Sequence, residues 1–112
     1  MIQLTHHTPI LLATHAADFR KGIDGLVAVC RHQLQKDPRS GAYFVFINRS
    51  KTMMRVLVYD GTGFWLMTKR LSKGRFQGWP TGTGVVDTMD ARQLSRFILG
   101  QDPSGVRISP IE

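Results

Sequence analysis

The carboxylates are the first residues of this 112-residue chain that could carry out catalysis. A two-metal phosphoryl-transfer site needs two or three carboxylates that converge on ions about 3.5–4 Å apart. The eight acidic residues are scattered instead: Asp18, Asp24, Asp37, Asp60, Asp87, Asp90, Asp102 and Glu112. Asp60 lies in a predicted turn, and Asp18 and Asp90 are predicted helix N-caps. These structural roles account for most of the carboxylates, so we expect no nuclease or transposase site within the chain.

The other candidate groups are no better placed for chemistry. The histidines show no H-x-x-x-H or H-x-H spacing, so we expect no metal site; they are His6, His7, His15 and His32. A single cysteine, Cys30, excludes an internal disulfide, and its place on an apolar helical stripe indicates a buried small hydrophobe. Gly61-x-Gly63 lacks the rest of a dinucleotide fingerprint and predicts a turn. The sequence therefore predicts a protein that is not an enzyme and has no cofactor.

Positive charge is concentrated between Arg49 and Arg75. This segment has seven basic residues and one acid, a local net charge of +6 in a chain whose total is +7. The basic residues are Arg49, Lys51, Arg55, Lys69, Arg70, Lys73 and Arg75. The aromatic residues within or just after the segment are Tyr59, Phe64, Trp65, Phe76 and Trp79. Cations displace counterions from a phosphate backbone and aromatic faces stack on unpaired bases, which favours nucleic acid as the partner. The alternative is a solvated basic hairpin that binds nothing.

The composition is typical of a globular protein, with 42% hydrophobic and 21% charged residues. Its length predicts one domain, which we place at residues 1–100, followed by a loose tail at 101–112. The longest apolar run near the start, Pro9 to Ala13, is too short to span a bilayer, and no signal-peptide pattern surrounds it. We therefore expect a cytoplasmic protein with no membrane partner.

Hydrophobic periodicity predicts the elements that must position these residues. The segment Ile10–Ala13 is typical of a short strand. An apolar stripe then predicts a helix that begins at Asp18 and ends before Pro38; its members are Ile23, Leu26, Val27, Cys30 and Leu34. The predicted strands that follow are Tyr43–Asn48, Met53–Asp60, Gly63–Leu71 and a short one around Val85-Val86. A second amphipathic helix is predicted from Asp90 to Gly100. The fold class is α+β, an antiparallel β-meander of three to five strands packed against two amphipathic helices.

The segment Asp60-Gly61-Thr62-Gly63 is the strongest hairpin signal. A loop of even length places Met54, Val56 and Val58 on one face with Trp65 and Met67, and it leaves a mixed aromatic and basic face opposite. A loop of odd length could pair Arg55 with Lys69, a like-charge contact that disfavours it.

The aromatic residues near the hairpin receive different predictions. With valines and a methionine as neighbours, Trp65 is expected in the core. In the loop that follows, we expect Phe76 to have a structural role and Trp79, in glycine-rich surroundings, to be exposed at the surface. Stacking of Phe76 or Trp79 on unpaired bases is the functional alternative to burial.

Four stretches of this chain resemble a known family when taken together and in order: Asp18–Leu26, Asp37–Arg49, Tyr59–Leu66 and Lys69–Phe76. They are similar to the small accessory protein, of TnpB or second-frame type, of the bacterial insertion-sequence-sixty-six family. The resemblance covers about residues 9 to 100. The matching motif positions are Arg20, Lys21, Gly22, Asp60, Gly61, Trp65, Lys69, Arg70, Gly74, Arg75, Phe76, Trp79 and Pro80. The chain departs from the family pattern where Gln77-Gly78 separates Arg75-Phe76 from Trp79-Pro80.

The resemblance implies a bacterial protein encoded beside a separate DDE transposase and acting as an accessory in moving the element. It implies no catalytic residues, because the family has none assigned. The leading hypothesis is a non-enzymatic protein that binds DNA, at the element ends or the target, through the hairpin and the loop that follows it. The predicted nucleic-acid-binding residues are Arg49, Lys51, Arg55, Lys69, Arg70, Lys73, Arg75 and Trp79.

The alternative hypothesis is a protein–protein adaptor that docks on the transposase with little direct DNA contact. Aromatic residues and arginine are enriched at interface hot spots, which is its physical support. The predicted partner-binding residues are Arg20, Lys21, Tyr59 and Phe64. The sequence leaves the oligomeric state and the strandedness of the DNA open.

Overall fold

The protein is represented by a computed structural model in which residues 8–81 and 84–99 are described. The elements in chain order are β1 (Ile10–Ala13), α1 (Ile23–His32), β2 (Tyr43–Ile47), β3 (Met53–Tyr59), β4 (Phe64–Arg70), β5 (Val86–Met89) and α2 (Ala91–Ile98). The predicted α+β fold class is therefore confirmed. The predicted tail, the glycine expected to end the second helix, and His6 and His7 lie outside the described residues.

The five strands of the described chain form one sheet in the order β4-β3-β2-β1-β5. The segment β2-β3-β4 is an antiparallel meander, as predicted, and β5 pairs antiparallel with β1. The β1–β2 pair is parallel, with Ile10 opposite Tyr43 and Leu12 opposite Val45. A parallel pair needs a crossover connection, and α1 supplies it. The sheet is therefore mostly antiparallel, with one parallel pair at its centre.

The central strand β2 is buried on both faces, as its continuous apolar sequence predicts. On one face the core contains residues of α1; it is made of Ala13, Leu26, Val29, Cys30, Leu34, Ala42, Phe44, Phe46 and Leu57. On the other face it contains residues of α2 and of the loop after β4; it is made of Ile10, Leu12, Tyr43, Val45, Ile47, Met54, Val56, Val58, Phe76, Trp79, Met89, Leu94 and Phe97. The sheet thus has one layer packed on each side. We call the side that α1 covers the α1 face, and the side that α2 and the loop after β4 cover the α2 face.

The start of α1 differs from the prediction. Its N-cap is Gly22, without a side-chain hydrogen bond, and the helix begins at Ile23. The predicted cap, Asp18, instead accepts a hydrogen bond from the backbone N–H of Arg20 at 2.9 Å. The carboxylate is therefore used in a turn before the helix, so the prediction that it caps α1 is wrong. Arg20 also lies before the helix and not in its first turn.

The start of α2 agrees with the prediction. The carboxylate of Asp90 accepts a hydrogen bond from the backbone N–H of Gln93 at 2.8 Å, and the Gln93 side chain accepts one from the backbone N–H of Asp90 at 3.0 Å. This reciprocal pair is a capping box, which satisfies two backbone donors that the helix itself leaves unpaired. Leu94 and Phe97 are buried against the sheet, so the cap and the apolar face together fix the eight-residue helix.

The β3–β4 hairpin has the predicted even-length loop, with Tyr59 opposite Phe64. Trp65 lies opposite Val58 and Met67 opposite Val56, so the predicted division of side chains between the two faces is confirmed. The carboxylate of Asp60 accepts hydrogen bonds from the backbone N–H groups of residues 62 and 63 at 2.9 and 3.0 Å. Position 61 has a φ of +100°, which glycine adopts without strain. Local chemistry therefore determines this turn.

Candidate nucleic-acid interface

The sheet topology gathers the basic residues at one end of the molecule. The last residue of β4, Arg70, lies opposite Met53, the first residue of β3. The turn that precedes β3 and the loop that follows β4 therefore leave the sheet at the same end. The side chains in this region are exposed, and we call them together the basic end: Arg49, Lys51, Lys69, Arg70, Lys73 and Arg75.

Two backbone hydrogen bonds hold the turn and the loop together. The N–H of Leu71 donates to the carbonyl of Thr52 at 3.0 Å, and the N–H of Phe76 donates to the carbonyl of Lys51 at 2.7 Å. Residues 19 and 25 positions apart in the sequence are thereby placed side by side. Positive charge that the sequence spreads along one segment is thereby gathered at one end of the sheet.

The turn between β2 and β3 has a defined conformation. The side-chain oxygen of Asn48 accepts hydrogen bonds from the backbone N–H groups of Thr52 and Met53, both at 3.0 Å. Lys51 has a φ of +61°, in the left-handed region that non-glycine residues seldom adopt. These constraints fix the backbone from which the exposed Arg49 and Lys51 side chains project.

One carboxylate near this end is already neutralised. A carboxylate oxygen of Asp18 lies 2.8 Å from a guanidinium nitrogen of Arg20. This hydrogen-bonded partner lowers the pKa of Asp18 from 3.8 to about 2 and raises the pKa of Arg20. At neutral pH the carboxylate is ionised and its charge is directed at Arg20, so it does little to offset the charge of the basic end.

An open groove of about 850 Å³ extends this surface toward the α1 face. Its walls come from the segment before α1 and from the turn between β2 and β3. Arg20 and Arg49 line it together with the polar side chains of Asn48 and Ser50. Of the residues predicted to bind a partner protein, Arg20 therefore lies beside the basic end.

Arg55 was predicted to bind nucleic acid, but its guanidinium is bonded to the protein itself. It donates to the carbonyl of Phe19 at 2.7 Å and to the hydroxyl of Thr68 at 3.1 Å. It also lies over the Phe19 ring, 4.7 Å from the ring centroid. A half-buried arginine with these contacts holds the segment before α1 against the sheet. The alternation within β3, which places Arg55 on the same face as the buried Leu57, was the available signal for this role.

The two tryptophans are placed opposite to expectation. Trp79 is 6% exposed, and its indole N–H donates to the carbonyl of Ala13 at 2.9 Å. Its ring lies 5.2 Å from that of Phe97, so the expected surface exposure is wrong. Trp65 is 50% exposed because β4 is an edge strand, so its expected place in the core is also wrong. The structural role predicted for Phe76 is confirmed, since this side chain is 2% exposed.

The remaining predicted partner-binding residues, Tyr59 and Phe64, lie at the other end of β3 and β4. Their ring centroids are 5.0 Å apart, and the guanidinium of Arg39 lies 5.5 Å from the Tyr59 ring centroid. The hydroxyl of Tyr59 donates to the carbonyl of Gly61 at 3.1 Å. The structure thus separates this aromatic cluster from Arg20 and Lys21, with which the sequence had grouped it.

An exposed apolar patch on the α2 face was not predicted from the sequence. Trp65 and Met67 of β4 and Ile98 and Leu99 at the end of α2 are 50%, 41%, 37% and 72% exposed, respectively. A cleft of about 310 Å³ lies between β4 and α2; its lining includes Tyr43, Met54, Val56, Met67, Leu94 and Ile98. Edge strands and short helices leave such surfaces when the layers that cover a sheet are incomplete.

The described residues offer little for catalysis. No group of three or more histidine, cysteine, aspartate or glutamate side chains among them could hold a metal ion. Burial raises the pKa of the Cys30 thiol to about 12, which keeps it protonated and unreactive. None of the helices in residues 8–81 and 84–99 is long and apolar enough to cross a membrane.

Comparison with known proteins adds a family relationship. A model of the family described as "IS66 Orf2 like protein" matches residues 8–107. The chain is 35% identical over 103 residues to protein y4jC of Sinorhizobium fredii strain NGR234, covering 92% of this chain and 87% of that protein. It is 34% identical over 102 residues to protein y4hO of the same strain, with 91% and 88% covered. Both relatives carry the description "uncharacterized protein". No solved structure matches the chain significantly.

Proposed function

Because the chain belongs to the IS66 Orf2-like family of transposition accessory proteins, we propose that it serves transposition by binding DNA through the basic end. In this role it holds DNA and performs no bond cleavage of its own. The observation that supports the proposal is that six exposed cations from two separate segments lie at one end of the sheet. Protein surfaces that neutralise several phosphates obtain most of their affinity from counterion release.

The geometry favours contact with the phosphate backbone over stacking on bases. The aromatic residues of the loop, Phe76 and Trp79, are buried in the core on the α2 face of the sheet. Lysine and arginine side chains are exposed at the basic end, and contacts from such side chains to phosphates position a protein on DNA without reading its sequence. We therefore propose duplex DNA as the ligand, with weak dependence on sequence.

A salt titration tests this proposal. Each phosphate contact contributes about −0.9 to the slope of log K against log salt for duplex DNA. We expect the triple variant Arg49→Gln, Lys69→Gln, Arg70→Gln to bind a terminal-repeat duplex more weakly. The magnitude of its slope should be smaller by about 2.7. Fluorescence anisotropy with the terminal repeat and a scrambled duplex, at several salt concentrations, measures both quantities.

The matched control is the triple variant Arg31→Gln, Lys36→Gln, Arg92→Gln. These residues are exposed and lie away from the basic end. Like the first triple, they comprise two arginines and one lysine. Both triples lower the net charge by three, so the control should keep its slope if the location of the charge matters. Equal loss in both triples, or an unchanged slope in the first, would show that the basic end is not the binding surface.

An adaptor role is the second candidate, and the cluster of Tyr59, Phe64 and Arg39 at the hairpin end favours it. Aromatic residues and arginine are the residue types that dominate protein interfaces. A complex formed by direct contact with the transposase should survive high salt and nuclease treatment during co-purification. A complex bridged by DNA should dissociate under both conditions.

A further inference from the structure

The outer edge of β4 is the longer of the two edges of this sheet, and within residues 8–81 and 84–99 no strand pairs with it. β4 has seven residues and lies at one edge, whereas β5, at the other edge, has four. Its first four residues are apolar, and its exposed apolar side chains include Trp65 and Met67. Proteins usually protect such an edge with charges, proline or a bulge, because its backbone groups can pair with another strand.

The hydrogen-bond pattern shows which backbone groups of β4 face outward. In an antiparallel pair, residues alternate between exchanging both hydrogen bonds and exchanging none. Asp60 bonds to Gly63 at 3.1 Å and Leu71 bonds to Thr52 at 3.0 Å, at the two ends of the β3–β4 ladder. The odd-numbered residues of β4 therefore bond to β3. The backbone groups that point outward belong to the even-numbered residues Phe64, Leu66, Thr68 and Arg70.

We propose that a second copy of this chain pairs antiparallel along this edge, with a two-fold axis through Met67. The strand β4 begins with two aromatic residues and ends with two cations, so these meet when two copies pair antiparallel. In this register each cation lies opposite an aromatic ring of the other copy, Arg70 opposite Phe64 and Lys69 opposite Trp65. Directly opposite residues on one sheet face interact, and cations attract aromatic faces. The charges at the end of β4 therefore stabilise pairing in this register.

The register follows from overlap and charge. An axis through Met67 pairs the whole of β4, from Phe64 to Arg70, with the whole of its copy. This axis also places the residues whose backbone N–H and C=O groups point outward opposite one another, so that these groups can form hydrogen bonds. An axis through Lys69 or Arg70 would place like charges opposite each other, which destabilises a strand pair. An axis nearer the start of β4 would leave part of the strand without a partner.

The exposed apolar patch fits the same arrangement. A two-fold axis perpendicular to the sheet keeps the α2 faces of both copies on the same side. The Trp65 and Met67 side chains of the second copy would then lie beside those of the first, next to the cleft of about 310 Å³. Pairing thereby covers apolar surface that a single copy leaves in water. The partner argued from the surface is thus another copy of the chain.

Oligomeric mass tests the proposal in a way that is independent of DNA binding. Sedimentation equilibrium of the full chain without DNA should give twice the chain mass. Thr68→Pro removes an outward N–H without removing a bond to β3, a position where an edge strand tolerates proline. This variant should be monomeric. Thr68→Val is its control, because it also removes the hydroxyl but keeps the N–H, and it should remain a dimer.

A disulfide tests the register and covers the case in which Thr68→Pro fails to fold. The Met67 pair is not hydrogen-bonded, so its Cα atoms should be about 4.5 Å apart, within disulfide range. In a Cys30→Ala background, Met67→Cys should form a cross-linked dimer under mild oxidation. Lys69→Cys, which faces Trp65 of the other copy, should not cross-link when tested alone.

Three results would overturn the proposal. One is a monomeric wild-type chain at all concentrations tested. Another is a dimer that fails to cross-link through Met67→Cys. The third is a monomeric chain that loses a complex with the transposase on Thr68→Pro, which would assign the edge to a strand of that partner.

Discussion

The loop after β4 and the strand β4 itself make an instructive pair. The loop over residues 71–80 has no regular secondary structure, yet Phe76 and Trp79 are almost completely buried. The strand is regular and its alternation is clear, yet Trp65 and Met67 are among the most exposed apolar residues of the described chain. Regular local structure and burial are therefore separate properties here. Position in the sheet decides burial, because the loop crosses the α2 face and β4 lies at the edge.

The largest loss of stability is expected from removal of the buried Trp79 side chain in the loop after β4. Trp79→Ala should destabilise the protein by about 3–5 kcal/mol, because it removes a large buried side chain. It also leaves the carbonyl of Ala13 without its 2.9 Å hydrogen bond. Thermal or urea denaturation followed by circular dichroism measures the loss. Stability within about 1 kcal/mol of wild type would mean that the loop does not cover the sheet as described.

On the α1 face, an arginine of the sheet holds another irregular segment. Arg55→Met should cost roughly 1–3 kcal/mol of stability, because the carbonyl of Phe19 loses a charged hydrogen-bond donor. Denaturation of this variant beside Arg55→Lys, which keeps the charge, separates packing from electrostatics. The salt dependence of DNA binding should stay unchanged in the folded variant. A reduced slope would assign Arg55 to the DNA surface as well.

Trp65, the exposed tryptophan of β4, provides the matched test against the buried Trp79 of the loop. Trp65→Ala should cost about 1–2 kcal/mol in the monomer, less than Trp79→Ala, because half of the side chain is already in water and the loss is limited to the other half and the indole hydrogen bond to Asp60. The same denaturation measurement, made at concentrations where any dimer dissociates, compares it directly with Trp79→Ala. Equal losses for the two tryptophans would contradict the assignment of one to the core and the other to the edge.

The smallest expected effect comes from the turn between β3 and β4. Hydrogen bonds from the backbone N–H of Thr62, the Trp65 indole and other donors hold the pKa of Asp60 below its ordinary value. A lowered pKa contributes stability that is complete above the unfolded-state pKa, about 3.9, and is lost as the pH falls. Asp60→Asn should therefore melt below wild type at pH 7, with a gap that narrows by pH 2.5. A constant gap across this range would exclude the charge as its cause.

Much of the candidate interface was predictable from the sequence, in part because its charges are close together along the chain. Lys69 and Arg70 end β4, Lys73 and Arg75 follow closely in the next loop, and all four are exposed in the structure. The sequence also predicted that Arg49 extends this group of charges, and the structure places its turn at the same end of the sheet. Alternation in β3 indicated the face on which Arg55 lies, but it could not predict the partner of the guanidinium, since the bond to Phe19 depends on the path of a segment 36 residues away.

By itself the sequence determined the features that depend on neighbouring residues. The hairpin register follows from the loop at Asp60 and the alternation of side chains, and the α2 cap follows from Asp90 and Gln93. The continuous apolar run of β2 likewise predicts burial on both faces. These outcomes are decided by backbone geometry and hydrogen bonds over a few residues, which each segment carries with it.

The tertiary structure alone decided the order of the strands, and with it which side chains are covered. The parallel β1–β2 pair places α1 on one face, and the eight-residue α2 leaves room on the other for Trp79. The same order places β4 at the edge and exposes Trp65. Burial of a side chain depends on what packs over it from distant parts of the chain. Local periodicity shows the face on which a residue lies, and it cannot show whether that face is covered.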